Sequence, residues 1–151
     1  MSQSLSQIYL HIIFSTKNRR PFLADTELRS KTHGYLVGVC RNLDSPSLIV
    51  GGVEDHVHIL CPMSKNWKLS EFIRELKRDS SKWVKMQAEH FKDFYWQRGY
   101  GAFSVSPGHV ELLKEYIANQ EAHHRSETFQ EELRRICAKY GIQVDERYAW
   151  D

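Results

Sequence analysis

Two histidines, separated by a single valine and followed by isoleucine and leucine, stand in "EDHVHIL" at residues 54–60. Side chains two residues apart on a strand point to the same side, so we expect His56 and His58 to project together while Val57 faces the other way. Neutral imidazoles offer nitrogen lone pairs, and two of them held side by side can take adjacent positions on one divalent metal ion. The pair alone is a weak signal, because such a site needs a third ligand.

Tyr116 and Gln120, in "KEYIANQ", offer the missing chemistry. Residues four apart on a helix share one face about one turn from each other. A glutamine carbonyl oxygen is a hard donor suited to Mg²⁺ or Mn²⁺, and a phenol beside that ion can attack a phosphorus atom. A single tyrosine on a helix is usually a partly buried packing residue, so Tyr116 gains meaning only from these neighbours.

The elements that must position these residues follow from periodicity and turn signals. Dense β-branched and aromatic residues predict strands over 8–15, 47–52 and 56–62, the last two joined as a hairpin. Helical spacing predicts helices from the cap residue Asp25 to about residue 42, and over 69–89, 109–124 and 128–141. Residues 94–106 are aromatic and interrupted by glycines, which favours a strand pair or one bent strand. The tail, residues 142–151, is left without an assignment.

This order of elements predicts an α+β fold. We expect a ferredoxin-like βαββαβ antiparallel sheet with helices on one face and a C-terminal helical extension. A length of 151 residues, 41% of them hydrophobic, suits one domain over residues 1–151. His56 and His58 would then stand on the open sheet face, unless something else packs there.

Three further features bear on where the protein works. No apolar run approaches the roughly 20 residues needed to cross a bilayer, and the N-terminus lacks a basic segment followed by an apolar core. The three cysteines form no CxxC pair, so we expect reduced, buried thiols. We therefore expect a cytoplasmic protein without a membrane partner.

The charge is distributed unevenly although the net charge is only +2. A basic knot, "KNRR", follows the first strand, and the 69–89 helix carries a basic stripe opposite its apolar stripe. Basic clusters can contact phosphates, although a solvated helix face is the commoner meaning of a charge run. The candidate nucleic-acid contacts are Lys17, Arg19, Arg20, Arg74, Lys77, Arg78, Lys82 and Lys85.

Taken together, the motifs carry a family resemblance. "EDHVHIL", followed about 60 residues later by "KEYIANQ", resembles the single-tyrosine HUH transposases of bacterial insertion sequences, the type named after insertion sequence two hundred. The segment "FYWQRGYGAFSVS" resembles the part of that family that precedes the catalytic helix. The likeness runs from "YLHIIFSTKNRRP" to about His124.

The resemblance implies a role for each candidate residue. His56 and His58 would be the metal ligands, Gln120 the remaining protein ligand and Tyr116 the nucleophile, with Mg²⁺ or Mn²⁺ as the ion. The family binds hairpins in single-stranded DNA near the ends of the element. It cleaves and rejoins strands through a 5′-phosphotyrosine that leaves a free 3′ hydroxyl. It acts as a homodimer in which the tyrosine helix of one subunit serves the histidine pair of the other.

Two other functions stay open from the sequence. One is a catalytically silent domain that binds single-stranded nucleic acid on the same scaffold. The other is a small metal-dependent hydrolase in which the ion activates water, although the sequence offers no obvious general base near the histidine pair. The aromatic residues Tyr95, Trp96 and Tyr100 are candidates for stacking on bases, against the simpler expectation that they belong to the core.

Four residues near the motifs have simpler expected roles. His11 is expected to be a hydrogen-bonded strand histidine rather than a ligand. His123 and His124 are expected to end a helix, where positive charge meets the dipole favourably. Asp55 suits the hairpin turn, and its alternative role is to orient a neighbouring imidazole.

Overall fold

The computed structural model describes residues 3–151, and its elements follow the predicted order. The strands are β1 (Tyr9–Ser15), β2 (Ile49–Gly52), β3 (His56–Pro62) and β4 (Gly101–Val105). The helices are α1 (Thr26–Asn42), α2 (Leu69–Lys85), α3 (Val110–Ala118), α4 (Gln120–His123) and α5 (Phe129–Lys139). Short 3-10 turns lie at Lys17–Arg19, Glu89–Phe91 and Pro107–His109.

The four strands form one antiparallel sheet in the order β2-β3-β1-β4. The hairpin partner β3 lies beside β1, with Ile13 opposite His58 and Ser15 opposite His56. This is the strand order of the ferredoxin-like plan, so the predicted fold class is confirmed.

Helices cover both faces of this sheet. Alternate residues of β1 and β3, such as Ile12, Phe14 and Val57, form the main core with α1 and α2. On the other face, Ile13 packs with α5 residues and Leu60 packs with α3 residues. The C-terminal extension therefore folds back onto the face that the βαββαβ plan leaves open, because that face is too apolar to remain in water.

Local signals explain where two of the helices begin. Asp25 caps α1, as predicted, by accepting hydrogen bonds from the backbone N–H groups of Glu27 and Leu28. Thr128 caps α5 through a reciprocal capping box with Glu131. Helix α5 is also connected to the tail, because Nε of Arg134 donates to Oε1 of Glu146 at 2.7 Å.

Three predicted boundaries are wrong. Helix α2 ends at Lys85, and a separate 3-10 turn precedes the aromatic segment. Residues 94–106 contribute the single strand β4, with only an isolated bridge between Trp96 and Thr16 before it. The helix predicted over 109–124 is two helices, because the backbone departs from helical geometry at Asn119. Among residues 3–151, no helix is long and apolar enough to cross a bilayer.

Candidate active site

The two histidines of β3 lie on the sheet face covered by α3 to α5. Alternation turns Val57 toward α1 and α2, and it turns His56 and His58 to the opposite side, as predicted. Both imidazoles are fully buried, since α5 packs over them with the ring centroid of Phe129 4.8 Å from that of His56. Their ring nitrogens nevertheless face polar atoms instead of hydrocarbon.

Tyr116 and Gln120 meet the histidine pair within one chain. Oε1 of Gln120 lies 3.2 Å from Nε2 of His56. The ring centroid of Tyr116 lies 6.0 Å from that of His58. Tyr116 belongs to the last turn of α3 and Gln120 begins α4, so the break between these helices leaves both side chains on the histidine side. The four residues that the motifs single out are thus neighbours in space.

A fifth residue, Glu132 of α5, joins this cluster and was missed from the sequence. Its buried carboxylate places Oε1 3.0 Å from Nε2 of His58 and 3.3 Å from Nε2 of His56. Its Oε2 accepts hydrogen bonds from the Tyr116 hydroxyl and, at 3.1 Å, from Nε2 of Gln120. The sequence does contain a signal for it, because Glu132 falls within the buried stripe of α5, where a lone carboxylate is costly without partners.

The environment moves the pKa values of the two imidazoles in opposite directions. Burial lowers the pKa of His56, but hydrogen bonds and negative charge from Asp55 and Glu132 outweigh it and raise the pKa to about 9. Burial lowers the pKa of His58 to about 4, although Glu132 opposes the shift. In the absence of any other cation, His58 is thus neutral at pH 7 and offers a lone pair, while His56 carries the positive charge that faces Glu132.

The same contacts set the protonation of Glu132 and Tyr116. Burial raises the pKa of Glu132, but hydrogen bonds from His124, His56 and His58 outweigh burial and hold this pKa far below its usual range. Burial and then Glu132 raise the pKa of Tyr116, so the phenol is protonated at neutral pH. A carboxylate held so firmly ionised is a weak proton acceptor for this phenol.

Arg135, also on α5 and also missed from the sequence, contacts the phenol directly. Its Nη2 donates to the Tyr116 hydroxyl at 2.8 Å and to Oε2 of Glu127 at 3.1 Å. The positive charge of Arg135 lowers the pKa of Tyr116, against burial and Glu132. Of all these contacts, Arg135 is the group that favours an ionised phenol.

Neighbouring groups fix the orientation of the histidine rings. Nδ1 of His56 donates to Oδ1 of Asp55 at 2.7 Å, so Asp55 does orient an imidazole, the alternative role considered for it. Nδ1 of His58 lies 2.8 Å from Nε2 of His11, which is therefore the hydrogen-bonded strand histidine that was expected. His124 does more than end a helix, because its Nε2 lies 3.1 Å from Oε1 of Glu132.

The predicted nucleic-acid contacts fall mainly on one surface. Five of them line a groove between α2 and the segment before β4, here called the basic groove: Arg74, Lys77, Arg78, Lys82 and Lys85. Lys17 reaches the same groove, because its Nζ lies 5.9 Å from the ring centroid of Tyr95. The Nζ of Lys85 lies 3.9 Å from the same centroid. The fold thus brings Lys17 of the first basic cluster beside the second.

Two of the predicted nucleic-acid contacts, Arg19 and Arg20, lie apart from the groove. One groove lysine, Lys77, already makes hydrogen bonds within the protein. Arg19 lines a separate cleft together with His124, and Arg20 stacks 4.5 Å over the ring of Phe22. The ammonium of Lys77 donates to three backbone carbonyls of the segment before β4, at 2.7, 2.8 and 3.1 Å. Burial lowers the pKa of Lys77 to about 8.

The aromatic residues of the same segment divide between surface and core. Tyr95 and Tyr100 are exposed, so part of each ring faces solvent. Trp96 is buried and its Nε1 donates to Oγ of Ser80 at 2.9 Å, so the suggestion that it stacks on bases is wrong.

Comparison with known proteins places the chain among DNA-processing proteins. It matches the family model described as "Transposase IS200 like" over residues 4–120. A protein of Deinococcus radiodurans R1 assigned as a transposase superposes with a TM-score of 0.62 at 21% identity, over 80% of this chain and 95% of that one. A REP-associated tyrosine transposase, solved bound to a REP hairpin, superposes with a TM-score of 0.58 at 15% identity, over 82% of this chain and 74% of that one. No curated protein sequence matches significantly.

Proposed function

Because the chain belongs to the IS200-like transposase family, we propose that it cleaves and rejoins single-stranded DNA with Tyr116 as the nucleophile. The observation that carries this proposal is the position of the half-buried phenol. It lies beside the fully buried histidine pair and within hydrogen-bond reach of Arg135. A nucleophile next to candidate metal ligands and a fixed positive charge suits attack on a phosphodiester.

The proposed reaction conserves the energy of the phosphodiester bond. The Tyr116 oxygen forms a bond to phosphorus, and the bond from phosphorus to the 3′ oxygen breaks with its electron pair on that oxygen. The phenol loses its proton and the departing oxygen gains one, which leaves a 5′-phosphotyrosine and a free 3′ hydroxyl. A 3′ hydroxyl can later attack the phosphotyrosine, so strands are rejoined without an external energy source.

The donor set fits a divalent ion. Nε2 of His56, Nε2 of His58 and Oε1 of Gln120 would hold it, with Mg²⁺ or Mn²⁺ as the proposed ions. When bound, the ion neutralises charge on the scissile phosphate and stabilises the leaving 3′ oxygen. The chain's own residues orient the imidazoles through Asp55 and His11, and Arg135 stabilises the phenolate form of Tyr116.

Hairpins in single-stranded DNA at the ends of an element are the proposed substrate. Support comes from the basic groove and the exposed rings of Tyr95 and Tyr100, which offer phosphate neutralisation and stacking. The hairpin in the structure of the REP-associated relative belongs to that protein, and its fold likeness makes the same class of ligand a reasonable proposal here. Lys17, Arg19 and Arg20 are proposed as additional contacts.

Further proposals concern the assembly and its setting. We propose a single domain over residues 1–151 that works in the cytoplasm as a homodimer. The phenol already lies beside the histidine pair of its own chain. An active site within one subunit is therefore the arrangement that the contacts favour over exchange of the tyrosine helix.

One alternative has gained an argument. From the sequence, a metal-dependent hydrolase lacked an obvious general base near the histidine pair. Glu132 places a carboxylate there, hydrogen-bonded to the imidazoles and to the phenol. The strongly depressed pKa makes Glu132 a poor base for water and for the phenol alike. The contact from Arg135, which favours the ionised phenol, is what supports the tyrosine nucleophile. A silent binding domain would have no need for the buried cluster of imidazoles and carboxylate.

The decisive experiment is a search for a covalent adduct. Incubation with hairpin-bearing single-stranded DNA and Mg²⁺ or Mn²⁺ should give a denaturant-resistant protein–DNA species, which mass spectrometry locates on Tyr116. Tyr116→Phe should abolish the adduct and leave hairpin binding nearly intact. His56→Ala together with His58→Ala should remove metal-dependent cleavage. Cut strands without any covalent species would favour the hydrolase, and hairpin binding without cleavage would favour the silent domain.

A further inference from the structure

Residues beyond the matched family region complete the cluster around the histidine pair. The family match ends at residue 120, whereas His124 and Glu132 come later in the chain. Both are drawn in by the packing of α4 and α5 on the sheet. Four side chains, His56, His58, His124 and Glu132, place one possible ligand atom each within 4.8 Å of one another.

The tautomers of two of these imidazoles point to a common centre. Nδ1 of His124 lies 2.6 Å from the backbone carbonyl oxygen of Glu127, and a carbonyl oxygen only accepts, so this nitrogen carries the proton. Nδ1 of His56 is held in the same way by the carboxylate of Asp55. When each ring is neutral its lone pair is therefore on Nε2, which suits a metal-bound histidine whose Nδ1–H is held by a hydrogen-bond acceptor.

The distances from Oε1 of Glu132 to the three imidazoles match those between two ligands of one ion. Oε1 of Glu132 lies 3.0, 3.1 and 3.3 Å from Nε2 of His58, His124 and His56. Ligand atoms that each lie about 2.1 Å from one ion are about 3.0 to 3.4 Å apart. When the rings are neutral, their two lone pairs and the carboxylate oxygen repel one another at this solvent-free centre unless a positive charge lies among them. Without metal the proton on His56 supplies that charge, and a bound divalent cation would take its place.

We infer that His124 and Glu132 bind the same metal ion as His56 and His58, and that this ion is a transition metal. Three imidazoles and one carboxylate suit Zn²⁺, Co²⁺ or Mn²⁺, whereas Mg²⁺ prefers oxygen ligands and retains several waters. The inference rests on the proposed function for the metal role of the histidine pair. Gln120 remains beside this centre, with its Oε1 near Nε2 of His56 and its Nε2 donating to Oε2 of Glu132.

The test is Co²⁺ binding to the full-length protein without DNA, followed by visible d–d absorption. The unsubstituted protein should bind Co²⁺ with the intense absorption of a low-coordinate site, and excess Mg²⁺ should not displace it. Glu132→Gln and His124→Gln should each weaken Co²⁺ binding by about tenfold or more. Glu131→Gln on the exposed side of α5 and His109→Gln outside the cluster are matched controls that should bind as the unsubstituted protein does.

Several results would overturn the inference. Tighter Co²⁺ binding by Glu132→Gln would mean that the carboxylate competes with the ion instead of binding it. Equal affinity in both variants, or no Co²⁺ absorption at all, would remove these two residues from the site. Because the buried Glu132 also stabilises the fold, each variant is compared by circular dichroism, and His124→Gln gives the answer if Glu132→Gln does not fold.

The two proposals fail in different ways. If only His56→Ala with His58→Ala loses Co²⁺, the ligand role of His124 and Glu132 is wrong and the proposed function stands. If the metal results are as expected and no adduct forms on Tyr116, the proposed nucleophile is wrong and the metal site stands.

Discussion

At the scale of single residues, the two histidines of β3 tolerate full burial because each of their ring nitrogens has a polar partner. His56 and His58 occupy strand positions where hydrocarbon side chains would pack well, and both are inaccessible to solvent. Every ring nitrogen of the pair lies within 3.3 Å of a polar atom. A buried polar group without a partner costs about 1–3 kcal/mol of stability. Removing one member of the cluster therefore destabilises the fold by leaving its neighbours unsatisfied.

Arg135 leads to a prediction at this scale. Arg135→Met removes the positive charge that lowers the pKa of Tyr116, so this pKa rises and a smaller fraction of the phenol is ionised at any given pH. We expect adduct formation at pH 8 to slow by about 10- to 100-fold, with the pH dependence of the rate displaced to higher pH. Quenched time courses across a pH series measure both effects.

The neighbouring Arg134→Met is the control for that prediction. Arg134 lies on the exposed side of α5 and pairs with Glu146 in the tail. Its loss should leave the adduct rate unchanged. Equal slowing by both substitutions would show that the fold of α5, and not the charge on the phenol, governs the rate.

At the scale of elements, the site depends on how closely α3 approaches the sheet. Gly51 of β2 lets the backbone of α3 come so near that an added Cβ would lie 2.8 Å from both Cγ2 and the carbonyl oxygen of Ile117. Ile117 directly follows Tyr116, so the position of the nucleophile is coupled to this contact. A small residue on an edge strand therefore helps to set the active-site geometry.

Gly51→Ala tests that coupling. The added methyl group must push α3 away from β2, which should cost about 1–3 kcal/mol of unfolding free energy. We expect adduct formation to fall further than hairpin binding does, because Tyr116 moves and the basic groove does not. Chemical denaturation and the adduct assay measure the two effects.

Gly34→Ala provides a control of opposite sign. Gly34 lies inside α1, and its added Cβ would meet nothing within 4 Å. Alanine is favoured over glycine in a helix by about 0.5–1 kcal/mol, so this variant should gain stability and keep its activity. A Gly51→Ala protein with unchanged stability and adduct yield would contradict the argument.

At the scale of the whole molecule, the sheet separates two surfaces. The basic groove lies along α2 on one sheet face, and the cluster around Tyr116 lies under α3 to α5 on the other. Arg19 is the exception, since its cleft reaches His124 on the active-site side. Binding along the groove and chemistry at the phenol should therefore respond to different substitutions.

Salt dependence tests this separation. Arg74 and Lys82 are exposed in the groove, and each phosphate contact adds close to one counterion to the salt dependence of binding. Each alanine substitution should lower the slope of log affinity against log salt by about one, and Co²⁺ binding should not change. Fluorescence anisotropy with a labelled hairpin over a salt series gives the slopes. Lys31→Ala, which removes a lysine paired with Glu27 on α1, should leave the slope unchanged, and loss of slope there would argue for diffuse attraction.

The sequence by itself determined the fold class, the strand alternation and the four motif residues. Period-two spacing placed His56 and His58 on one side of β3, and helical spacing placed Tyr116 one turn from Gln120. The strand alternation is a short-range pattern that backbone geometry dictates, which is why it survives in the structure. Tyr116 and Gln120 stay on the same side although the helix breaks between them. The break at Asn119 and the early end of α2 were not predictable, because helix ends depend on tertiary packing as much as on propensity.

Only the tertiary structure decided what surrounds the motif. Glu132 and Arg135 come from a helix that was predicted correctly but regarded as an extension, and no local pattern says which sheet face such a helix will cover. Its apolar stripe could have packed elsewhere, and the burial of His56 and His58 follows from where it did pack. The fold class was thus a local property of the sequence, whereas the partners of Tyr116 were settled by long-range packing of α5 on the open face of the sheet.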